Sequence, residues 1–139
     1  LAYKTERYNI KGKDVVAGNC KYYLNDLSFK NFLYPGFAYG VGYLLENAVY
    51  LELRRLGYIV YTGSFRDKEV DFVAMKDDRV IYLQATYMLE TAQTMEREYA
   101  PLLTIGDNYE KYVVSMDEVQ FPSNEGVRHI QAWNLKEIL

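Results

Sequence analysis

Residues 58–86 read YIVYTGSFRDKEVDFVAMKDDRVIYLQAT, and this stretch decides the fold. Three runs rich in β-branched and aromatic residues span Tyr58 to Thr62, Glu69 to Met75 and Val80 to Thr86. Such runs read as strands. Gly63 to Asp67 and Lys76-Asp77-Asp78 supply the turns, and connections this short make the neighbours antiparallel. Side chains alternate across a strand. Glu69, Asp71 and Val73 are therefore expected on one face, with Val70, Phe72 and Ala74 on the other. On the third strand Tyr82, Gln84 and Thr86 share a face opposite Ile81, Leu83 and Ala85. The polar residues of the two strands are expected to meet on one side.

Upstream, residues 41–56 read as a helix. Val41, Leu45, Ala48, Val49, Glu52 and Leu56 recur at helical spacing, and Glu46, Asn47, Tyr50 and Arg54 form a more polar face. Gly57 follows as a C-terminal cap. Further back, Lys4 to Lys13 predicts a charged, peripheral strand and Lys21 to Leu24 a short one. Asp26 caps a short helix to about Phe32, and Pro35-Gly36 marks a turn. Downstream, Thr91 to Leu103 predicts a helix with Ala92, Met95, Tyr99 and Leu102 as its apolar stripe, which Pro101 ends or kinks. Strands follow at Tyr112–Ser115 and Gly126–Ala132, then a helical turn from Leu135. This order predicts an α/β fold with a mixed sheet.

The chain has 139 residues, enough for one domain with a core. No apolar run approaches the roughly 20 residues of a membrane span, so no membrane partner is expected. No signal peptide is visible. A start at Leu1 suggests a piece of a longer protein. Cys20 and His129 are single, which excludes an intramolecular disulfide and a Cys/His zinc site within one chain. A Ser-His-Asp triad would need His129, and nothing near it in sequence supports one. A net charge of −3 argues against strong autonomous DNA binding, although Lys4, Arg7, Lys11, Lys13 and Lys21 cluster near the start. The 15 tyrosines suit half-buried strand positions better than base stacking.

Several segments together carry a resemblance: Gly42-Tyr43-Leu44-Leu45-Glu46-Asn47, Gly57-Tyr58, Glu69-Val70-Asp71-Phe72-Val73, Gln84-Ala85-Thr86-Tyr87, Arg97-Glu98, Asp107-Asn108-Tyr109-Glu110-Lys111-Tyr112 and Gly126-Val127-Arg128-His129-Ile130. In this order they resemble the C-terminal domain of unknown function of prokaryotic AAA-type ATPases, which is similar to the restriction-endonuclease-like, or PD-(D/E)XK, fold. The resemblance implies a three-layer α/β domain over residues 20–139. Residues 1–19 would be a linker or wing strand from an upstream winged-helix segment. It implies a cytoplasmic protein whose first partner is the ATPase domain of its own parent chain, with nucleic acid or another protein as a further partner. ATP binding would lie upstream, because no phosphate-binding GxxxxGK[ST] occurs here.

In nucleases of that fold, an Asp and a Glu on adjacent strands hold Mg²⁺, a lysine adds positive charge, and a helix glutamate contributes. The resemblance assigns Glu46 as the helix acid, Asp71 as the strand Asp and metal ligand, Gln84 at the Glu position and Thr86 at the Lys position. Gln84 offers only a neutral oxygen where Mg²⁺ prefers charged ones. Thr86 offers no cation. Lys68 is the one candidate for a displaced lysine. The expectation is a degenerate site in a non-catalytic binding or regulatory module with no cofactor in this fragment. Mg²⁺ would enter only if the site were active, and a metal-dependent nuclease or an interaction and dimerisation domain are the alternatives. Each residue also has a plain structural role: Glu46 paired with a base, Asp71 satisfied by Gln84 or Thr86, Gln84 as a hydrogen-bonding link. Glu69 reads as a solvated edge residue, Arg97-Glu98 as a helix-surface or interhelical pair, His129 as a strand side chain with an ordinary hydrogen bond, Cys20 as a small buried or semi-buried residue and Trp133 as a packing anchor.

Overall fold

A computed structural model describes residues 1–33, 35–36 and 40–139. Seven strands form one mixed sheet: β1 (Ala2–Asn9), β2 (Asp14–Leu24), β3 (Ile59–Phe65), β4 (Lys68–Lys76), β5 (Arg79–Ala85), β6 (Glu110–Ser115) and β7 (Val127–Gln131). They lie in the order β2-β1-β3-β4-β5-β6-β7. The tight turns make β3–β4 and β4–β5 antiparallel, as expected, while β5–β6 and β6–β7 are parallel. Helix α1 covers Ser28–Leu33, α2 Val41–Arg55 and α3 Ala92–Leu103, and a 3-10 turn, Ala132–Glu137, follows β7.

Apolar side chains alternate to both faces of the sheet, so each face carries its own core. Val49, Tyr50 and Leu53 of α2 pack with Phe72, Ala74, Ile81, Leu83 and Val114 on one side. Tyr99 and Leu102 of α3 pack with Val70, Val73, Tyr82, Val113 and Val127 on the other. The result is a three-layer α/β fold.

The described structure corrects several expectations. β1 is not peripheral: it runs parallel to β3 and is covered on its outer side by β2. β2 is longer than the strand read at residues 21–24, and it runs unbroken through residues 19 and 20, where a domain boundary was placed. Thr5 pairs with Lys21 and Arg7 with Val16, so Glu6 stands alone opposite Ala17, Gly18, Asn19 and Cys20. Such an irregularity blunts an exposed sheet edge. Lys13, in the β1–β2 turn, anchors that hairpin by donating to Asp107 Oδ2 at 2.9 Å, an oxygen that also accepts from the Tyr82 hydroxyl at 2.7 Å.

On α2 the buried residues are Asn47, Val49, Tyr50 and Leu53, whereas Val41 and Ala48 are exposed. The apolar stripe was misread because two polar-looking residues are buried with partners. Asn47 bonds both backbone groups of Leu24, each at 2.9 Å. Tyr50 stacks on Tyr23 with centroids 4.4 Å apart. Gly63 lies inside β3 rather than in a turn. A Cβ there would come within 2.8 Å of Val73 Cγ2 and 3.1 Å of Val70 Cβ, so close packing requires glycine. Pro101 does not end α3, which continues to Leu103. Trp133 is 50% exposed and is no core anchor.

Alternation also fails once in β4. Tyr61 pairs with Val73 and Gly63 with Val70, so Thr62 alone faces both Asp71 and Phe72. This bulge puts Val70 on the α3 side and Phe72 on the α2 side, where strict alternation had placed them together.

Candidate carboxylate–lysine site

The bulge in β4 turns Asp71 toward a group of charged side chains drawn from four elements. Glu46 comes from α2, Glu69 and Asp71 from β4, Lys21 and Tyr23 from β2, and Arg7 from β1. Lys21 Nζ lies 2.8 Å from Glu69 Oε1, 3.0 Å from Glu46 Oε1 and 3.5 Å from Asp71 Oδ1. Glu46 Oε1 also accepts the Tyr23 hydroxyl at 2.6 Å, and Glu69 Oε2 accepts from Arg7 at 3.1 Å. Thr5, paired with Lys21 across the strands, and Thr62, opposite the bulge, have buried hydroxyls without partners among the described residues. They leave a polar floor in this part of the sheet.

Gln84 and Asp71 meet by a route that alternation does not predict. The backbone register of β4 and β5 ends at Phe72 and Leu83. Beyond it, Gln84 Oε1 accepts from the Asp71 N–H at 2.6 Å, and Asp71 Oδ2 accepts from the Ala85 N–H at 2.9 Å. Two side chains thus continue the ladder past its last pair. They satisfy buried backbone donors that would otherwise go unpaired. Thr86 lies beyond β5, and its N–H donates to Val114 O at 3.0 Å, extending the pairing with β6. Lys68 is exposed at the start of β4, and the ammonium that reaches the carboxylates is that of Lys21.

The electrostatics follow from this geometry. Burial pushes the Asp71 carboxyl up to about 7 and Glu46 adds repulsion, while Lys21 and the Ala85 N–H pull the other way. Glu98 on α3 contributes a smaller repulsion. Lys21 is held above its ordinary value: burial disfavours its charge, but Asp71, Glu69 and Glu46 together outweigh that. Glu69 sits lower than usual, because its bonds to Lys21 and Arg7 overcome partial burial. It is a paired member of the group and not merely a solvated edge residue. Burial and Glu46 raise the Tyr23 hydroxyl, so it stays a protonated donor.

Mg²⁺ requires near-octahedral oxygens at roughly 2.0–2.1 Å. Among the described residues, no three His, Cys, Asp or Glu side chains are grouped to hold a metal. Most of the oxygens that the resemblance would assign to a metal are engaged: Gln84 Oε1 by a backbone N–H, Asp71 Oδ2 by Ala85 and Oδ1 by Lys21, and Glu46 Oε1 by both Lys21 and Tyr23. The residues as arranged do not fit a Mg²⁺ site. They fit one ammonium.

Sequence reasoning named Glu46, Asp71 and Gln84, which converge, and Thr86, whose recorded bond is through its backbone. It missed Lys21, Tyr23 and Arg7. Alternation does put Lys21 and Tyr23 on one face of a strand, but nothing local says which helix covers that face. Arg97 and Glu98 pair on α3, with Arg97 exposed and only 14% of the Glu98 side chain exposed. His129 Nε2 lies 2.7 Å from Ser115 Oγ, which is itself bonded to Asp117 Oδ2.

The fold and this site define a mixed α/β domain with a lysine-centred carboxylate cluster. The chain is similar to an uncharacterised protein of Haemophilus influenzae, 35% identical over 115 residues that cover 83% of this chain. The chain spans 28% of that relative's length. No family model and no solved structure matches the chain. Among the described residues, no helix is long and apolar enough to cross a membrane.

Proposed function

We propose that this chain is a C-terminal accessory domain of an AAA-type ATPase, on a restriction-endonuclease-like scaffold, acting as a binding or regulatory module and not as a nuclease. The run α2–β3–β4–β5–α3–β6, with Glu46 on the helix and Asp71 on the middle hairpin strand, supports the scaffold. A relative of which the chain spans 28% leaves room for further domains in that protein.

The observation that carries the non-catalytic reading is the seat of Lys21 Nζ within 3.5 Å of Glu46, Glu69 and Asp71. Phosphodiester hydrolysis on such a scaffold needs a metal to activate water and to neutralise charge developing on phosphate. Here the carboxylates spend their charge on an internal ammonium, and Gln84 supplies structure instead of a ligand. Arg7, Lys13 and Lys21 of the N-terminal basic group are each paired with carboxylates. That leaves less free positive charge for phosphate and favours a protein partner, first the ATPase domain of the same parent chain.

The test is incubation with single- and double-stranded DNA and RNA in millimolar Mg²⁺ or Mn²⁺. The expected cleavage equals that of the Asp71→Ala variant. Turnover that depends on Asp71 would overturn the reading and restore the nuclease.

A further inference from the structure

Far from the lysine-centred site, four buried polar groups converge on the connector between β6 and β7. Ser115 ends β6, Asp117 lies on the connector, His129 is in the middle of β7 and Tyr99 is on α3. Ser115, Asp117, His129 and Tyr99 are 0%, 7%, 2% and 2% exposed. The Ser115 hydroxyl donates to Asp117 Oδ2 at 2.5 Å, and the same oxygen accepts the Leu89 N–H at 2.9 Å. His129 Nδ1 accepts the Phe121 N–H at 3.1 Å, and its Nε2 lies 2.7 Å from Ser115 Oγ.

Proton bookkeeping settles the roles. A backbone N–H always donates, so Nδ1 is the bare nitrogen. The single Ser115 proton goes to Asp117, so Nε2 carries the imidazole proton and donates it to Ser115 Oγ. His129 is therefore neutral, with one tautomer. The residue types are those of a hydrolytic triad, but the wiring is not. In a triad the imidazole accepts the serine proton and its other nitrogen donates to the Asp. Here His129 has no free acceptor for Ser115, and the serine is sealed from substrate.

The wiring does something else. A second proton can enter His129 only at Nδ1, where it would face the Phe121 N–H. The bond holding Phe121 to β7 must break for the imidazole to become charged. The adjoining bonds fasten the same connector: Gln120 Nε2 to His129 O at 3.3 Å and Gln131 Nε2 to Glu118 O at 2.6 Å. β7 is an edge strand of the sheet, and the connector lies along it.

We propose that Ser115, Asp117 and His129 form an acid-sensitive latch that holds the β6–β7 connector, residues 116–126, against β7, and that protonation of His129 Nδ1 opens it. The groups that face His129 are Asp117 from the connector, Ser115 from β6, the Phe121 ring at 5.1 Å in an edge-on contact, and Tyr99 from α3 through Asp117. Among the described residues, Asp117 is the charge that acts on the imidazole, and it favours protonation; burial opposes it more strongly, so the histidine sits below its ordinary 6.5. The open connector leaves His129 in water, where it accepts a proton near pH 6.5. Below that pH the open form is favoured by up to about tenfold per unit, until the closed form itself protonates.

The test is amide hydrogen exchange of the native protein between pH 7.5 and 5, corrected for intrinsic rates, with ¹⁵N NMR of the imidazole. Expected are a protonated Nε2 at neutral pH and a loss of Phe121 protection that grows up to about fivefold from pH 6.5 to 5.5, while β4 and β5 amides stay protected. His129→Asn, whose amide oxygen can replace Nδ1 as acceptor, should keep Phe121 protected with no such pH dependence. A proton on Nδ1 at neutral pH, or Phe121 protection that is flat in the native protein through this range, overturns the latch. The native measurement decides even where the variant does not fold.

Discussion

Replacing Lys21 by methionine retains an unbranched stem and removes one positive charge from among three carboxylates. Glu69 loses least, because Arg7 remains 3.1 Å away and the Glu69 side chain is 42% exposed. Glu46 and Asp71 lose most: their side chains are only 17% and 16% exposed, and Lys21 is the cation they share. Removing one partner of a buried ion pair costs about 3–5 kcal/mol. Lys21 is itself 29% exposed, so the lower end, about 3 kcal/mol at pH 8, is expected. For a chain of this size that lowers Tm by roughly 10 °C. The deficit must also depend on pH. The folded pKa of Asp71, about 7, lies above its ordinary 3.8, so between these values the folded protein binds a proton that the unfolded chain does not. Stability from that uptake is fully present below about pH 4 and is lost as pH rises through 7. Without Lys21 the carboxylates take up protons more readily, so the variant's deficit shrinks toward pH 5. Urea denaturation of both proteins at pH 5 and pH 8 measures this. A deficit under about 0.5 kcal/mol at pH 8, the size of an ordinary surface substitution, would refute the claim that the ammonium neutralises the cluster. So would a full-sized deficit identical at both pH values.

Two other substitutions probe separate parts of the same frame. Gln84→Leu strips the Asp71 N–H of its acceptor and should cost about 1–3 kcal/mol in urea denaturation; a variant as stable as the native protein would show that Gln84 is not the link described. Asp107→Asn tests the anchor of the β1–β2 hairpin. Burial raises the Asp107 carboxyl, but bonds from Tyr82, Lys13 and Lys111 prevail and bring it down to about 2. A lowered carboxylate contributes stability that is present above its unfolded value near 4 and lost as pH falls through about 2. The variant should therefore be about 2 kcal/mol less stable at pH 7, with the difference closing in acid melts toward pH 2. A difference constant with pH sinks this account.

The chain order of helix, hairpin strands, helix and parallel strands was legible in the sequence, because local physics writes it there. The antiparallel neighbours follow from turns too short for anything else, and α2 ends at Arg55, with Leu56 as its C-cap and Gly57 taking a φ of +90° beyond it. Asp71 was visible for the same reason, as a charged group on an otherwise apolar strand, whereas Glu46 was singled out by the resemblance. So was the absence of a charged group at Gln84 and at Thr86.

What only the tertiary structure decided depends on contacts between segments far apart in the chain. The bulge opposite Thr62 arises from how β4 fits β3, and it alone sends Val70 and Phe72 to opposite cores. Asn47 and Tyr50 look polar in a helical pattern, and they are buried because Leu24 and Tyr23 meet them across the fold. Lys21 lies 25 residues from Glu46 and reads as one more surface base until β2 is folded beside β1, which sets its ammonium among three carboxylates. The same holds for Ser115 and His129, brought within hydrogen-bond distance by parallel pairing of β6 and β7. Sequence alone records which side chains carry charge. Which charge answers which is a long-range Coulombic and packing outcome, and no local pattern encodes it.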